Sequence, residues 1–263
     1  MEKSKSNLSN IIKQGNQRFS KNEFKILNEF YQKNTKKNTL TRVWTSLSGD
    51  HDYTIGFKAL NKESFVTVGY FENDLNQVCL TLIYGKYGRK WKINIISIGT
   101  LRIMNKDAFD WYEIAKSDYE KGYLIDAAND LSLANQLLKP ANEYWNYQNA
   151  KEITKYRDIV KAKIYGQFTF PLTVEYVKTK PQIFQIYPQE INEGYFPMIL
   201  YTTKNSMSDT IKLSKECDEL HKKIGDLFKG IDKNNKMIFY RAYRSIPNDT
   251  TEVENYGFIR RNN

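Results

Sequence analysis

Residues 109–140, FDWYEIAKSDYEKGYLIDAANDLSLANQLLKP, decide how the rest of the chain has to be built. Apolar and small residues recur at helical spacing on both sides of Gly122: Trp111, Ile114 and Ala115 before it, Ala127, Leu131 and Ala134 after it. The spacing predicts two helices joined by a tight turn and closed by Pro140. Small side chains at the crossing let the helix axes approach to about 8–10 Å. No second copy of the pattern follows it. A single helical hairpin cannot bury its own apolar face, so it must lean on its neighbours. A third helix, Ala141 to Lys163, is the expected cap, with Tyr144, Trp145, Tyr147, Ile153, Tyr156 and Ile159 as its large residues.

Upstream, the polar opening (residues 1–19) reads as a mobile tail. Phe19 to Tyr31 then reads as a helix, with Ser20 as N-cap, Glu23 completing a capping box, and Phe24, Leu27, Phe30 and Tyr31 as the apolar stripe. From Thr39 to Met104 the period changes to two. Strands are expected at 41–47, 53–60, 65–71, 78–84 and 90–98. The last two form a hairpin, VCLTLIY-GKYG-RKWKINIIS, with Gly85 and Gly88 bracketing its turn. Trp91, Ile93 and Ile95 alternate with Lys90, Lys92 and Asn94, which predicts a buried face and a wet one. Gly99 marks a bulge or a strand end.

Downstream of 165 a further α+β unit is expected. Its strands are 183–187, 196–203, 236–246 and 256–260, with a turn region between Pro188 and Gly194. A helix capped by Ser208 runs to Lys229 and is closed by Gly230. Ile211, Cys217, Leu220, Ile224, Leu227 and Phe228 form its apolar face. The expected organisation is a tail (1–19), an α+β domain (20–104), a helical segment (105–165) and a C-terminal α+β domain (166–263). The fold class is α+β.

Two resemblances follow from these residues. The hairpin of 107–140 resembles a single tetratricopeptide-like motif, with its consensus Tyr displaced to Tyr119. One helix followed by a curved meander resembles the NTF2-like or cystatin-like cone, in which a sheet wraps a helix. The phrases LTLIYGKYGRKWKINII, GYLIDAANDLSLANQLLKPANEYWNY and EGYFPMILYTT look like a family of bacterial secreted or lipid-anchored proteins. That resemblance implies architecture and compartment, and no activity.

The chain has 263 residues, 40% of them hydrophobic and 14% aromatic, enough for real cores. Its formal charge of +10 suits an anionic partner. The charge is spread along the chain, however, and Lys- and Asn-rich codon usage accounts for it, so nucleic acid is not the expected partner. No apolar run is long enough to cross a membrane as a helix. A Met1 native to the chain implies a cytoplasmic protein. A Met1 added in place of an export signal implies a secreted, periplasmic or lipid-anchored one. Cys79 and Cys217 read as buried thiols, with one long-range disulfide left open.

Catalytic signals are absent: there is no GxSxG, no phosphate loop and no GxGxxG. His51, between Asp50 and Asp52, reads as an exposed turn and His221 as helix packing. No cofactor and no metal site is expected. The leading expectation is a non-enzymatic binding protein of the bacterial envelope. Trp111, Tyr119, Tyr144, Trp145 and Tyr147 would be its partner anchors. The first alternative is a small-molecule pocket in the cone, lined by Tyr53, Tyr70, Cys79 and Trp91. The second is anionic-polymer binding by Lys86, Arg89, Lys90 and Lys92 at the hairpin tip.

Overall fold

The computed structural model describes residues 23–46, 48–72, 75–248 and 252–262. It is a mixed α+β protein that divides into two compact units. The first contains the chain up to Asp107 together with Leu137–Gln148, and the second contains Ala108–Gln136 and Asn149 onwards. The helical hairpin thus shares a unit with the C-terminal segment, and the connection after it returns to the N-terminal unit.

The described part of the first unit is built from strands: β1 (Phe24–Lys33), β2 (Thr39–Trp44), β3 (Tyr53–Ala59), β4 (Glu63–Glu72), β5 (Asn76–Tyr87), β6 (Lys90–Ile103) and the short β7 (Trp145–Tyr147). They form a four-stranded antiparallel sheet, β1-β4-β5-β6, and a three-stranded one, β2-β3-β7. The expected helix over Phe19–Tyr31 is corrected here. Residues 19–22 and the Ser20 cap lie outside the described residues, and Phe24–Lys33 pairs with β4 from Phe71 to Glu63. A register shift at Leu27 fits this segment's irregular apolar spacing to a strand, and the hydrogen bonds of the β4 edge override the local helix signal. The described residues of this unit therefore lack the helix that the cone comparison required.

The β5–β6 hairpin forms as expected, but its turn holds only Gly88 and Arg89, between the paired Tyr87 and Lys90. Gly88 has φ +62°, the left-handed value that a two-residue hairpin turn favours. Gly85 is inside β5, where a Cβ would strike the side chains of Asn61 and Asn94. Gly99 is inside β6 against the Pro140 carbonyl, and the register shifts fall instead at Asn94 and Leu101.

The second unit starts with helices α1 (Ala108–Glu120) and α2 (Leu124–Gln136). Gly122 turns between them at φ +80°. The third helix begins later than expected: α3 is Ala150–Gln167, while Asn142–Tyr144 is one 3₁₀ turn and Trp145–Tyr147 joins β3 of the first unit. Tyr156 of α3 meets Tyr112 and Tyr119 of α1 edge-on at 5.4 and 5.7 Å.

The C-terminal sheet runs β12-β11-β10-β9-β8: β8 (Leu172–Thr173), β9 (Gln182–Ile191), β10 (Gly194–Thr202), β11 (Met237–Tyr243) and β12 (Asn255–Arg261). Only β10 and β11 are parallel, joined through α4 (Thr210–Lys222) and α5 (Ile224–Leu227). The expected single helix to Lys229 breaks at Lys223, and its N-cap is Asp209, which accepts from the Lys212 amide, not Ser208. Ile211 is exposed, while Leu213, Cys217, Leu220 and Ile224 are buried. Pro188 lies within β9, opposite Pro197 of β10. β8 pairs only with Gln182 and Ile183, so the missing Pro188 amide costs no ladder bond there.

Candidate functional site

The four-stranded sheet has one covered face and one open face. On the covered face Val66, Val68, Cys79 and Ile83 are buried. There Tyr53 of β3 donates its hydroxyl to Asn28 Oδ1 at 2.6 Å, and Asn142 donates to Ser97 Oγ at 2.8 Å. Tyr53 stacks on Trp145 at 3.6 Å and meets Tyr147 edge-on at 6.4 Å. Burial pushes the Cys79 thiol up to about 12 and raises the Tyr53 and Tyr147 phenols. These aromatics fill the space where a ligand pocket was expected. Tyr53 and Cys79 are therefore core residues, and Tyr70 is on the same half-buried side. Both cysteines are free and buried.

The open face follows from strand register. Residues paired across strands share a face, so five rows run from the β1 entrance to the hairpin tip. The first row is Phe24, Phe71, Val78 and Thr100; the second is Ile26, Gly69, Leu80 and Ile98; the third is Glu29, Thr67, Leu82 and Ile96. The fourth is Tyr31, Phe65, Tyr84 and Ile93, and the fifth is Lys33, Glu63, Lys86 and Trp91. The face is aliphatic near the entrance and aromatic and charged near the tip. Ile26 is 58% exposed, Ile93 49% and Trp91 42%.

The extra residue in β6, Asn94, explains a missed expectation. Ile95 pairs with Ile83, and Ile93 pairs with Tyr84, its neighbour in β5. One inserted residue inverts the alternation, so Ile93 and Trp91 move to the open face instead of joining Ile95. Asn94 is tied in place by Nδ2 to Asn61 Oδ1 at 3.2 Å and by the Tyr87 hydroxyl on its Oδ1 at 2.9 Å. Asn61 in turn donates to the Lys86 carbonyl at 3.1 Å. The bulge aims an aromatic outward and is fixed by three side chains.

The tip is an organised cluster. Glu63 accepts from Lys86 Nζ at 2.7 Å and from the Tyr31 hydroxyl at 2.8 Å. The Lys86 hydrogen bond leads in holding the Glu63 carboxyl below its ordinary value, and the Glu63 bond raises Lys86 and Tyr31. Lys86 Nζ sits 5.8 Å from the Trp91 ring, and Phe65 meets Trp91 edge-on at 6.3 Å. The four cations expected to act together are divided. Lys86 is on the open face, Lys90 and Lys92 pair with Tyr87 and Gly85 on the opposite side, and Arg89 is in the turn. Lys92 lies over the Tyr87 ring at 5.4 Å.

The expected hairpin anchors take other places. Trp111, Trp145 and Tyr147 are buried, so three of the five are core. Tyr144 is half-buried in the 3₁₀ turn. Tyr119 lines a cleft of about 420 Å³ in the second unit with Lys163, Gln167, Phe168, Phe228 and Lys229. The hairpin instead makes internal structural contacts. Asn234 donates to Asp118 and Asn235 to Asp126, each at 2.7 Å, and Lys229 donates to the Lys121 carbonyl at 2.7 Å.

His51 is partnered too: its Nδ1 lies 2.5 Å from Asp107 Oδ2. Asp52 closes its own turn by accepting from Thr45, Ser46 and the amides of Ser48 and Gly49, and these bonds lower its pKa. Among the described residues, no helix is long and apolar enough to cross a membrane. No protein-family model, no curated protein and no solved structure matches this chain.

Proposed function

We propose that the protein is a non-enzymatic interaction module that docks a protein partner on the aromatic end of its open sheet face. The observation that supports this most is the Asn94 bulge, which turns Trp91 and Ile93 outward beside Tyr84 and the Lys86–Glu63–Tyr31 cluster. A protein that needed only a folded sheet would keep the alternation and place these side chains inward. A rigid Trp beside a restrained cation has the chemistry of an interface anchor. Tyr31, Phe65, Tyr84, Lys86, Trp91 and Ile93 would make the contact.

In this reading the tetratricopeptide-like hairpin is a brace. Its two helices have 13 residues each, turn at Gly122, and spend their polar groups on the 229–235 loop. Placement in the bacterial envelope, and the likeness to secreted or lipid-anchored proteins, rest on sequence character alone and belong to the same proposal. The anionic-polymer alternative is weakened because the cations divide between two faces and Lys86 is held by Glu63.

Photo-crosslinking tests the proposal. A benzophenone amino acid replacing Ile93 should give a discrete protein adduct in cells producing the chain, abolished by Trp91→Glu. The same probe at Ile211, exposed in the second unit, should give none. Equal labelling from both positions would contradict the reading. A nucleic-acid adduct whose yield falls steeply with salt would move it to the polymer alternative.

A further inference from the structure

We propose that the aliphatic end of the same sheet face is the seat of the chain's own N-terminal segment, Ser6–Phe19. The inference is independent of the partner reading, which concerns the other end of the face.

The face itself calls for an occupant. β5 reads VCLTLIY and is apolar on both sides: Cys79 and Ile83 are buried, while Val78, Leu80 and Leu82 line the opposite side. β6 adds Ile96 and Ile98 to that side, and β1 adds Ile26, so six aliphatic residues share it. A strand with one wet face ordinarily alternates apolar with polar, and one apolar on both sides is ordinarily covered on both. Ile26 and Ile98 are nonetheless exposed.

The chain outside the described residues has the right place, length and pattern to supply the cover. It ends at Asn22, just before Phe24, and Phe24 is in the first row of this face with its ring against Phe71 at 5.1 Å. Leu8, Ile11 and Ile12 have i, i+3, i+4 spacing, Ser6 precedes them and Gly15 follows. A helix over Ser6–Gln14 is about 13 Å long. Three rows of the sheet extend about 13 Å along the strands, and four strands span about 14 Å across them. Residues 16–22 reach about 23 Å when extended, enough to bring such a helix back over Leu80 and Leu82. Residues 1–22 carry five cations and one acid, and the only charge in these rows is the exposed Glu29. An apolar stripe with a basic surround fits that seat, and it stops short of Tyr84, Ile93 and Trp91.

A disulfide trap in the full chain tests this. Oxidation of the Ile11→Cys, Leu82→Cys variant at low micromolar concentration should give a monomeric internal crosslink in most molecules, because the bond requires Cα atoms within about 7 Å. The Ile11→Cys, Lys58→Cys pair, with Lys58 on the other sheet, should give at least tenfold less. A dimeric crosslink would overturn the proposal in favour of a second copy on the face, and equal yields from both pairs would overturn it as random collision. Should the Leu82 variant fail to fold, the Ile11→Ser, Ile12→Ser double variant replaces it. Carbene labelling of Leu80, Leu82 and Ile98 should rise severalfold over the unaltered chain, while Trp91 stays constant. Unchanged labelling would overturn the proposal.

Discussion

The molecule contains two sheets whose central strands look alike in sequence and end differently. β5 reads VCLTLIY and β10 reads FPMILY, both nearly continuous apolar runs. In the C-terminal sheet both faces are buried. Tyr201, Ile199, Ile238 and Tyr240 share one side with Leu213, Cys217 and Leu220 of α4, while Phe196, Met198, Leu200, Met237 and Phe239 form a cluster on the other. In the N-terminal sheet only one face is buried. A run of apolar residues thus encodes that a strand will be covered, and not what will cover it. Where cover is built from elements inside the unit, the result is core. Where it is not, the result is a surface able to receive another segment.

The largest expected effect contrasts the two sides of β5–β6. Ile83→Ala should destabilise the first unit by about 3–4 kcal/mol, since it empties a buried site. Ile93→Ala should cost less than about 0.5 kcal/mol in the free protein. Urea denaturation reads both, and equal losses would mean that the two faces are equally buried.

The second effect concerns the hairpin brace. Burial, opposed by the Asn235 hydrogen bond and aided by the nearby Asp118 and Asp232 charges, pushes the Asp126 carboxyl up to about 6. Its folded value then lies above its unfolded value of 3.8. Stability is full below the unfolded value, where Asp126 is protonated in both states, and falls as pH rises through about 6, where the folded state must hold a buried charge. Asp126→Asn keeps the Asn235 contact and removes the charge. It should match the unaltered protein at pH 4 and exceed it at pH 7, by at most about 3 kcal/mol at 1.36 kcal/mol per pKa unit. Parallel curves from pH 4 to 7 would refute a buried ionisable Asp126.

Smaller effects probe the cover of the second sheet. Asp209→Ala removes the α4 cap and should cost about 1 kcal/mol. Tyr201→Phe removes a buried hydroxyl that has no hydrogen-bond partner, so stability should stay level or rise by up to about 1 kcal/mol. A loss on this substitution would reveal a partner for the hydroxyl.

Legibility in the sequence followed the range of the interactions. The α1–α2 hairpin was readable because 3.6-residue spacing and Gly122 are local. The β5–β6 pairing was readable from alternation and Gly88. β1 was not, because FKILNEFYQK satisfies a helical stripe as well as a bulged strand, and only the β4 edge chooses between them. Trp145–Tyr147 was misplaced because three residues carry too little pattern to show that they return to β3. The site was half legible. Tyr84, Lys86 and Trp91 stood out as a mix of aromatics and cations, but their common face depends on one inserted residue, Asn94. The Glu63 and Tyr31 partners come from strands 23 and 55 positions before Lys86, a separation with no local signal.

Residue-resolved carbene footprinting of the full chain tests the difference between the two sheets most directly. Tyr84, Trp91 and Ile93 should label strongly, while Ile199, Tyr201 and Tyr240 stay protected. Protection of Trp91 and Ile93 to the level of Tyr201 would mean that the aromatic end is core, and would contradict its role as the interaction surface.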